Sequence, residues 1–217
     1  MLSLSEENYL KAIYHIQGDK EISVSTNDLS KHVKNKASSV TDMLKKLSEK
    51  SLVIYKKYQG VSLSHEGKRT ALKIIRKHRL WEVFLVEKLN FSWNEVHDVA
   101  EQLEHIKSEK LTDELDRYLK YPKRDPHGDP IPNKNGEFEV VNKTLLAELE
   151  PHESGICIGV KDTSTHFLEY LDKHKIALGN RLTVLEKEEY DKSMLISFNN
   201  NTVSISESVA QNLYIKP

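Results

Sequence analysis

From Ser5 onward, apolar side chains recur every three or four residues, which is the spacing of a helix with one buried face. Residues 5–17 place Tyr9, Leu10, Ile13 and Ile16 on one stripe. Ser5 stands ahead of Glu6 and Glu7, so a capped helix is expected, ending at Gly18-Asp19. Residues 22–24 read as extended, and residues 25–33 as a short helix. After the turn at 34–36, residues 37–50 form a second helix, with Val40, Met43, Leu44 and Leu47 inward. Residues 52–64 read as two strands around a turn containing Gly60. A long helix then runs from His65 to about Leu89. It is apolar on more than one side and needs a second partner, most economically another copy of the chain. Residues 92–106 form one further helix, and Ser108 caps another over 109–119. Pro122, Pro126, Pro130 and Pro132 impose a fixed, non-helical turn, and residues 133–138 read as a polar linker.

Beyond residue 145 the pattern changes to short apolar or alternating runs: 145–149, 155–160, 181–185, 194–198, 202–205 and 210–215. One helix, residues 164–174, interrupts them. Short strands with polar turns predict a small β-barrel of about 70 residues.

Composition narrows the class. No run of 18 apolar residues is present, so no membrane span is expected, and residues 1–7 lack the charged and apolar regions of a signal peptide. Cys157 is the only cysteine, which excludes an intramolecular disulfide and points to a cytoplasmic setting. It lies in an apolar run and reads as a small core residue. The net charge of −1 is unevenly spread. Residues 1–75 carry 13 Lys/Arg against 8 Asp/Glu, whereas residues 76–150 carry 12 against 16. A basic amino-terminal third on an acidic remainder suits a polyanion-binding module joined to a cation-binding one.

Two short helices around a tight turn, the second faced with small polar and basic groups, meet the needs of a helix-turn-helix. Its base-facing side chains must be short enough to enter the major groove, with lysines beside them for phosphates. Thr26, Lys36, Ser38, Ser39, Thr41, Asp42 and Lys45 fill those roles, and Lys56, Lys57 and Tyr58 stand at the tip of a wing. Helix-helix-hairpin segments also serve as protein-binding modules, but the basic tip and small-polar helix face favour DNA.

The cation-binding candidate is the stretch His97 to His105. Helical spacing stacks His97, Glu101 and His105 on one side with Glu104 beside them, and carboxylates and imidazoles on adjacent turns can share a divalent metal. On spacing alone a solvated polar face is an equal reading. His78 and Glu82 make a further i, i+4 pair on the long helix.

With these motifs in place, the chain resembles the diphtheria toxin repressor family of metal-dependent transcription regulators, in its manganese-responsive branch. The carrying motifs are Glu7–Tyr14, Ser38-Ser39-Val40-Thr41, Arg76–Glu82, Val96-His97-Asp98 with Glu101, Glu104 and His105, and Asp125–Pro132. The resemblance covers essentially the whole chain. It implies a mainly α fold with a small β domain. A winged helix-turn-helix occupies 1–64, a helical dimerisation and metal-binding domain 65–138, and an SH3-like, FeoA-like barrel 139–217. It further implies a homodimeric repressor of metal-uptake genes that binds a palindromic double-stranded operator. Its primary metal site is Asn8, Glu101, Glu104 and His105. A second site is His78, Glu82 and His97, completed by Asp162, with His166 or Glu169 as alternatives. Glu101 stands where iron-responsive relatives carry a cysteine, and a carboxylate there hardens the site and favours Mn²⁺ over softer, more thiophilic ions, with an iron-responsive repressor using Fe²⁺ as the alternative. Position 8 is Asn where manganese relatives usually have Asp, so either Asn8 or Glu7 completes the primary site. Position 11 is Lys where shorter manganese regulators carry a Glu ligand, which excludes copying their two-metal arrangement. A metal hydrolase is the rival class. Against it stand the missing His-Glu-x-x-His, Gly-rich phosphate loop and Gly-x-Ser-x-Gly motifs.

Overall fold

The computed structural model describes residues 2–18, 22–93, 95–139 and 141–217, so Asp19 of the expected helix break lies outside it. The chain divides into two compact units. One comprises Met1–His78, Glu101–Glu109 and Pro132–Glu137, and the other Arg79–Ala100, Lys110–Ile131 and Phe138–Pro217.

The first unit begins with α1 (Leu4–Gln17). Its cap is Ser3, two residues before the Ser5 that the sequence suggested. The Ser3 side chain accepts from the Glu6 N–H, and Glu6 Oε2 accepts from the Ser3 N–H at 2.9 Å. This reciprocal pair needs a glutamate three residues after the cap, which Ser3 has and Ser5 lacks. Helices α2 (Thr26–His32) and α3 (Ala37–Glu49) follow, joined by a turn with Lys34 at φ 51°. Strands β1 (Val53–Lys56) and β2 (Gly60–Leu63) pair antiparallel and form the wing. Tyr9, Leu10, Ile13, Leu29, Val40, Leu44, Leu47, Val53, Val61 and Ala71 form one buried core. This is a winged helix-turn-helix. Helix α4 (His65–Leu89) opens at its rim, and Gly67 is required there because a Cβ would stand 1.8 Å from Leu52 O.

In the second unit, Leu80, Val83, Leu115, Leu119 and Ile131 form a small helical core with Trp81 and Phe84 against it, drawing on α4 and α6 (Glu109–Tyr118). Helix α5 is shorter than the pattern 92–106 suggested. It spans Val96–Leu103, with Glu104 and His105 in the turn beyond it.

The rest of this unit is a six-stranded antiparallel sheet in the order β3-β8-β4-β5-β6-β7, the small β domain expected. Strands β4 (Ser154–Val160), β5 (Arg181–Lys187), β6 (Met194–Phe198) and β7 (Asn201–Ile205) follow the sequence pattern closely. Two segments differ from it. Residues 145–149 are not one strand, because β3 is only Thr144–Leu145 and a 3₁₀ turn, Leu146–Glu148, follows. That turn puts Leu146 and Leu149, three apart, both inside. The final run divides into α8 (Glu207–Ala210), capped by Ser206, and β8 (Leu213–Lys216). Helix α7 (Thr165–Lys173) buries Leu168 and Leu171 on the sheet. Cys157 is 1% exposed in β4, and burial pushes its thiol up to about 11. No described helix is long and apolar enough to cross a membrane.

The proline-rich segment 125–132 lies directly on β4. Val160 N–H donates to His127 O at 2.9 Å, and Gly128 has φ +88°. A Cβ on Gly128 would stand 2.1 Å from both Gly159 Cα and Ile158 O. Gly128→Ala therefore meets both a backbone clash and an unfavourable φ. It should lower unfolding free energy by about 2 kcal/mol or more in urea titrations, and unchanged stability would contradict this packing.

Candidate functional site

In the first unit, ionisable groups converge on Glu104. The regular spacing of α1 puts Glu7, Asn8 and Lys11 on one face. Helix α4 supplies His78, and the carboxyl end of α5 with its following turn supplies Glu101, Glu104 and His105. The Glu104 side chain has 0% exposure. Lys11 Nζ donates to both its oxygens, at 2.7 and 2.8 Å, and His78 Nδ1 lies 2.5 Å from Oε2. His105 Nε2 is 3.8 Å from Oε1, and its Nδ1 is 2.6 Å from Glu7 Oε2. Glu101 Oε1 is 3.7 Å from Lys11 Nζ. Burial alone would raise the pKa of Glu104. The hydrogen bond from His78 and the charge of Lys11 outweigh it and hold the carboxyl below its ordinary range.

Asn8 Oδ1 is buried and has no hydrogen-bond partner among the described residues. An unsatisfied buried carbonyl oxygen costs free energy, so it marks a place for a missing donor or cation. The carboxylate and imidazole donors gathered at Glu104 and His105, with no thiol, fit a hard or borderline divalent metal ion. The sequence reading grouped Asn8, or Glu7 in its place, with Glu101, Glu104 and His105. The structure puts Glu7 on His105, and it puts His78, which that reading gave to the second site, on Glu104.

The second unit holds another group. Glu82, 2% exposed, has Oε1 3.3 Å from His97 Nδ1 and 3.8 Å from His127 Nδ1. One ligand atom each from Glu82, Asp125 and His127 falls within 4.8 Å of the others, and all three residues are buried. Asp125 Oδ1 accepts from the His127 and Asp129 N–H groups, both at 2.9 Å, and Arg79 Nε lies 3.4 Å from Oδ2. His127 Nε2 donates to Trp93 O at 2.6 Å, and the two rings stack.

Sequence reasoning gave Asp125 and His127 no ligand role. Two acids and a histidine within a proline-pinned turn were the available signal. Asp162, chosen from sequence to complete the second site, accepts from Ser164 N–H at 2.8 Å ahead of α7. His166 and Glu169 form an exposed pair at 3.9 Å. His97 is 60% exposed.

On the winged helix, Lys36, Ser38, Ser39, Asp42 and Lys45 are exposed, and Thr26 and Thr41 are partly so. Thr41 Oγ1 donates to Ala37 O, and Lys45 Nζ is 3.4 Å from Asp42. At the wing tip Lys56 and Lys57 are exposed, Tyr58 is 93% exposed at φ 65°, and Lys57 Nζ sits 5.0 Å from the Tyr58 ring centre.

Comparison with known proteins agrees with this layout. Residues 1–61 match the model of the iron dependent repressor N-terminal DNA binding domain. Residues 64–133 match the iron dependent repressor metal binding and dimerisation domain, and 144–217 the FeoA domain. A solved manganese-dependent transcriptional repressor in complex with manganese is 34% identical, with TM-score 0.82 over 97% of this chain and 99% of that one. The iron-dependent repressor IdeR of Mycobacterium leprae is 25% identical over 76% of this chain and 74% of its own length. A Chlamydia trachomatis protein named as a probable metal transport system membrane protein is 32% identical over 62% of this chain, and the match spans only 31% of that protein.

Burial opposes a charge on His127, but Glu82 and Asp125 beside it raise its pKa to about 9. Its imidazolium therefore contributes stability that is complete below about pH 6.5 and is lost as pH rises through about 9. Nuclear magnetic resonance titration of chelated protein should show His127 protonated at pH 7.5. A midpoint near 6.5 would contradict the pairing with Glu82.

Proposed function

Because the chain belongs to the diphtheria toxin repressor family of metal-dependent DNA-binding repressors, we propose that its ligands are Mn²⁺ and a palindromic operator. The observation that carries the metal reading is the buried Asn8 Oδ1, without a hydrogen-bond partner among the described residues, on the helix whose Glu7 reaches His105. Glu101, Glu104 and His105 would hold the ion, with Asn8 Oδ1 or Glu7 completing the set. The bound ion supplies positive charge that links α1 of the winged helix to the turn after α5. Absence of sulfur from this set favours Mn²⁺ over the more thiophilic ions. Fe²⁺ is the second reading, supported by the likeness to an iron-dependent repressor. Glu82, Asp125 and His127, with His97 at Glu82, would supply donors for a second ion.

In this reading the chain works as a homodimer with three parts, 1–64 for DNA, 65–138 for dimerisation and metal, and 139–217 as the SH3-like domain. Dimerisation would cover the outer face of α4 and its neighbours, where Leu89, Leu111, Tyr118 and Tyr121 stand exposed. Two recognition helices α3 would then enter successive major grooves about 34 Å apart. Ser38, Ser39, Thr41 and Asp42 would meet base edges. Lys36, Lys45, Lys56 and Lys57 would meet phosphates, with Thr26 and Tyr58 beside them. Metal need not touch DNA; it has only to bind the DNA-competent arrangement better than the alternative. Repression of metal uptake, in the cytoplasm where the operator lies, is the physiological role this implies.

Selection from random duplexes by Mn²⁺-loaded protein should return an inverted repeat. Fluorescence anisotropy on that duplex should show binding about 5–150-fold tighter with Mn²⁺ than after chelation. Glu104→Gln and His105→Ala should each abolish that difference while keeping the fold. Equal binding with and without metal would sink the proposal. Lys56→Ala and Lys57→Ala should each reduce the salt slope of binding by about 1.

A further inference from the structure

The middle of the exposed face of α3 carries a carboxylate. Val40, Leu44 and Leu47 are buried, and helical spacing puts Ser38, Asp42 and Lys45 on the opposite side. The Asp42 side chain is 71% exposed, and Lys45 Nζ reaches its Oδ1 at 3.4 Å, a long contact between two exposed groups. The other acid of α3, Glu49, is its last residue, and Asp28 of α2 accepts from its own cap, Ser25. An acid at the centre of a face meant for DNA weakens the general attraction, because the phosphates repel it.

We propose that Asp42 is the residue of α3 that discriminates between base pairs, by accepting the groove-facing N4 amino proton of a cytosine in each half of the operator. This rests on the DNA-binding reading given above, with α3 in the major groove.

The chemistry of the face leaves that role to Asp42. Ser38 and Ser39 carry hydroxyls, which donate or accept and so suit several bases. Thr41 Oγ1 donates to Ala37 O at 2.9 Å, so its proton is engaged on its own helix. Lys45 only donates, and a phosphate satisfies it as well as a base does. An ionised carboxylate only accepts. The donors in the major groove are the N4 amino group of cytosine and the N6 amino group of adenine. Adenine sets its N7 acceptor beside the amino group, which repels the second carboxylate oxygen, whereas cytosine sets only a C5–H there. Guanine and thymine offer acceptors and a methyl group. Those bases would leave the carboxylate out of water without a donor, and that loss is the source of the discrimination. Lys45 beside Asp42 offsets part of the repulsion from phosphates, so the acid is tolerated in the groove.

The test compares duplexes selected from random sequence by the Mn²⁺-loaded full chain and by its variants, followed by fluorescence anisotropy. The unaltered protein should return a cytosine in each half-site that Asp42→Ala leaves unspecified, with the other positions unchanged. Asp42→Asn should move that preference to adenine, because an amide pairs with both N6 and N7. Placing N4-methylcytosine at that position in one half-site keeps the base pair and blocks the groove-facing proton. This should weaken the unaltered protein about 5–150-fold and Asp42→Ala by less than about threefold. Asp42→Ala should also bind a scrambled duplex about threefold tighter, since a repelled charge is gone.

A residue that merely supports the helix gives a different pattern. Asp42→Ala would then weaken binding equally on selected, methylated and scrambled duplexes, which overturns the proposal. Selection of the same cytosine by Asp42→Ala overturns it as well. An operator without a cytosine that responds to Asp42 defeats this role and leaves the DNA-binding reading standing. If the unaltered Mn²⁺-loaded chain selects no sequence and binds no duplex, the reading in the preceding subsection fails with this one.

Discussion

A fully buried carboxylate is an expensive thing to keep ionised, and Glu104 is kept ionised by His78 and Lys11, with His105 approaching it from the same turn. Each comes from a different segment, so the one charge gathers α1, α4 and the turn after α5 around itself. Removing a single partner from such a group leaves buried charge unbalanced, which typically costs about 3–5 kcal/mol. The winged helix has its own apolar core and does not need Glu104 to fold its helices. What Glu104 supplies is a defined place for positive charge beside α1, the helix on which the winged core is built. A metal sensor needs that coupling between charge and position.

The second unit solves a similar problem with backbone. Asp125, His127 and Glu82 are buried acids and a base. They are tolerated because Asp125 accepts two backbone N–H groups and His127 donates to Trp93 O. The turn carrying them is pinned by prolines and by the close approach of Gly128 to Gly159. Side-chain partners hold the first group in place; for the second, the main chain does most of the holding.

Much of this was legible in the residues. The limits of α4, His65 and Leu89, follow from a long apolar period, and β6 from a clean alternation. The wing was readable from Gly60 between two apolar runs. Where the reading slipped, a side-chain interaction had taken over from periodicity. Ser3 rather than Ser5 caps α1 because Glu6 reaches back to it. Helix α5 stops at Leu103 because Glu104 and His105 are engaged elsewhere. The primary set of Asn8, Glu101, Glu104 and His105 came from family resemblance, since spacing alone left the stretch equal to a solvated surface. Asp125 and His127 were passed over because residues in an irregular turn have no period to place them. Lys11 was noted only as a departure from relatives; that its ammonium meets Glu104 depends on a contact 93 residues away in sequence.

The thiol of Cys157 has a practical use that follows from its burial in β4. Alkylating reagents attack the thiolate, and this thiol is both covered and held far from ionisation at neutral pH. It becomes reactive only when the sheet around it opens. As the chain's single cysteine, it makes the unaltered protein its own clock for local opening of the carboxy-terminal domain. Labelling rates with and without metal would then report whether an ion bound far along the sequence is felt there, without any introduced probe.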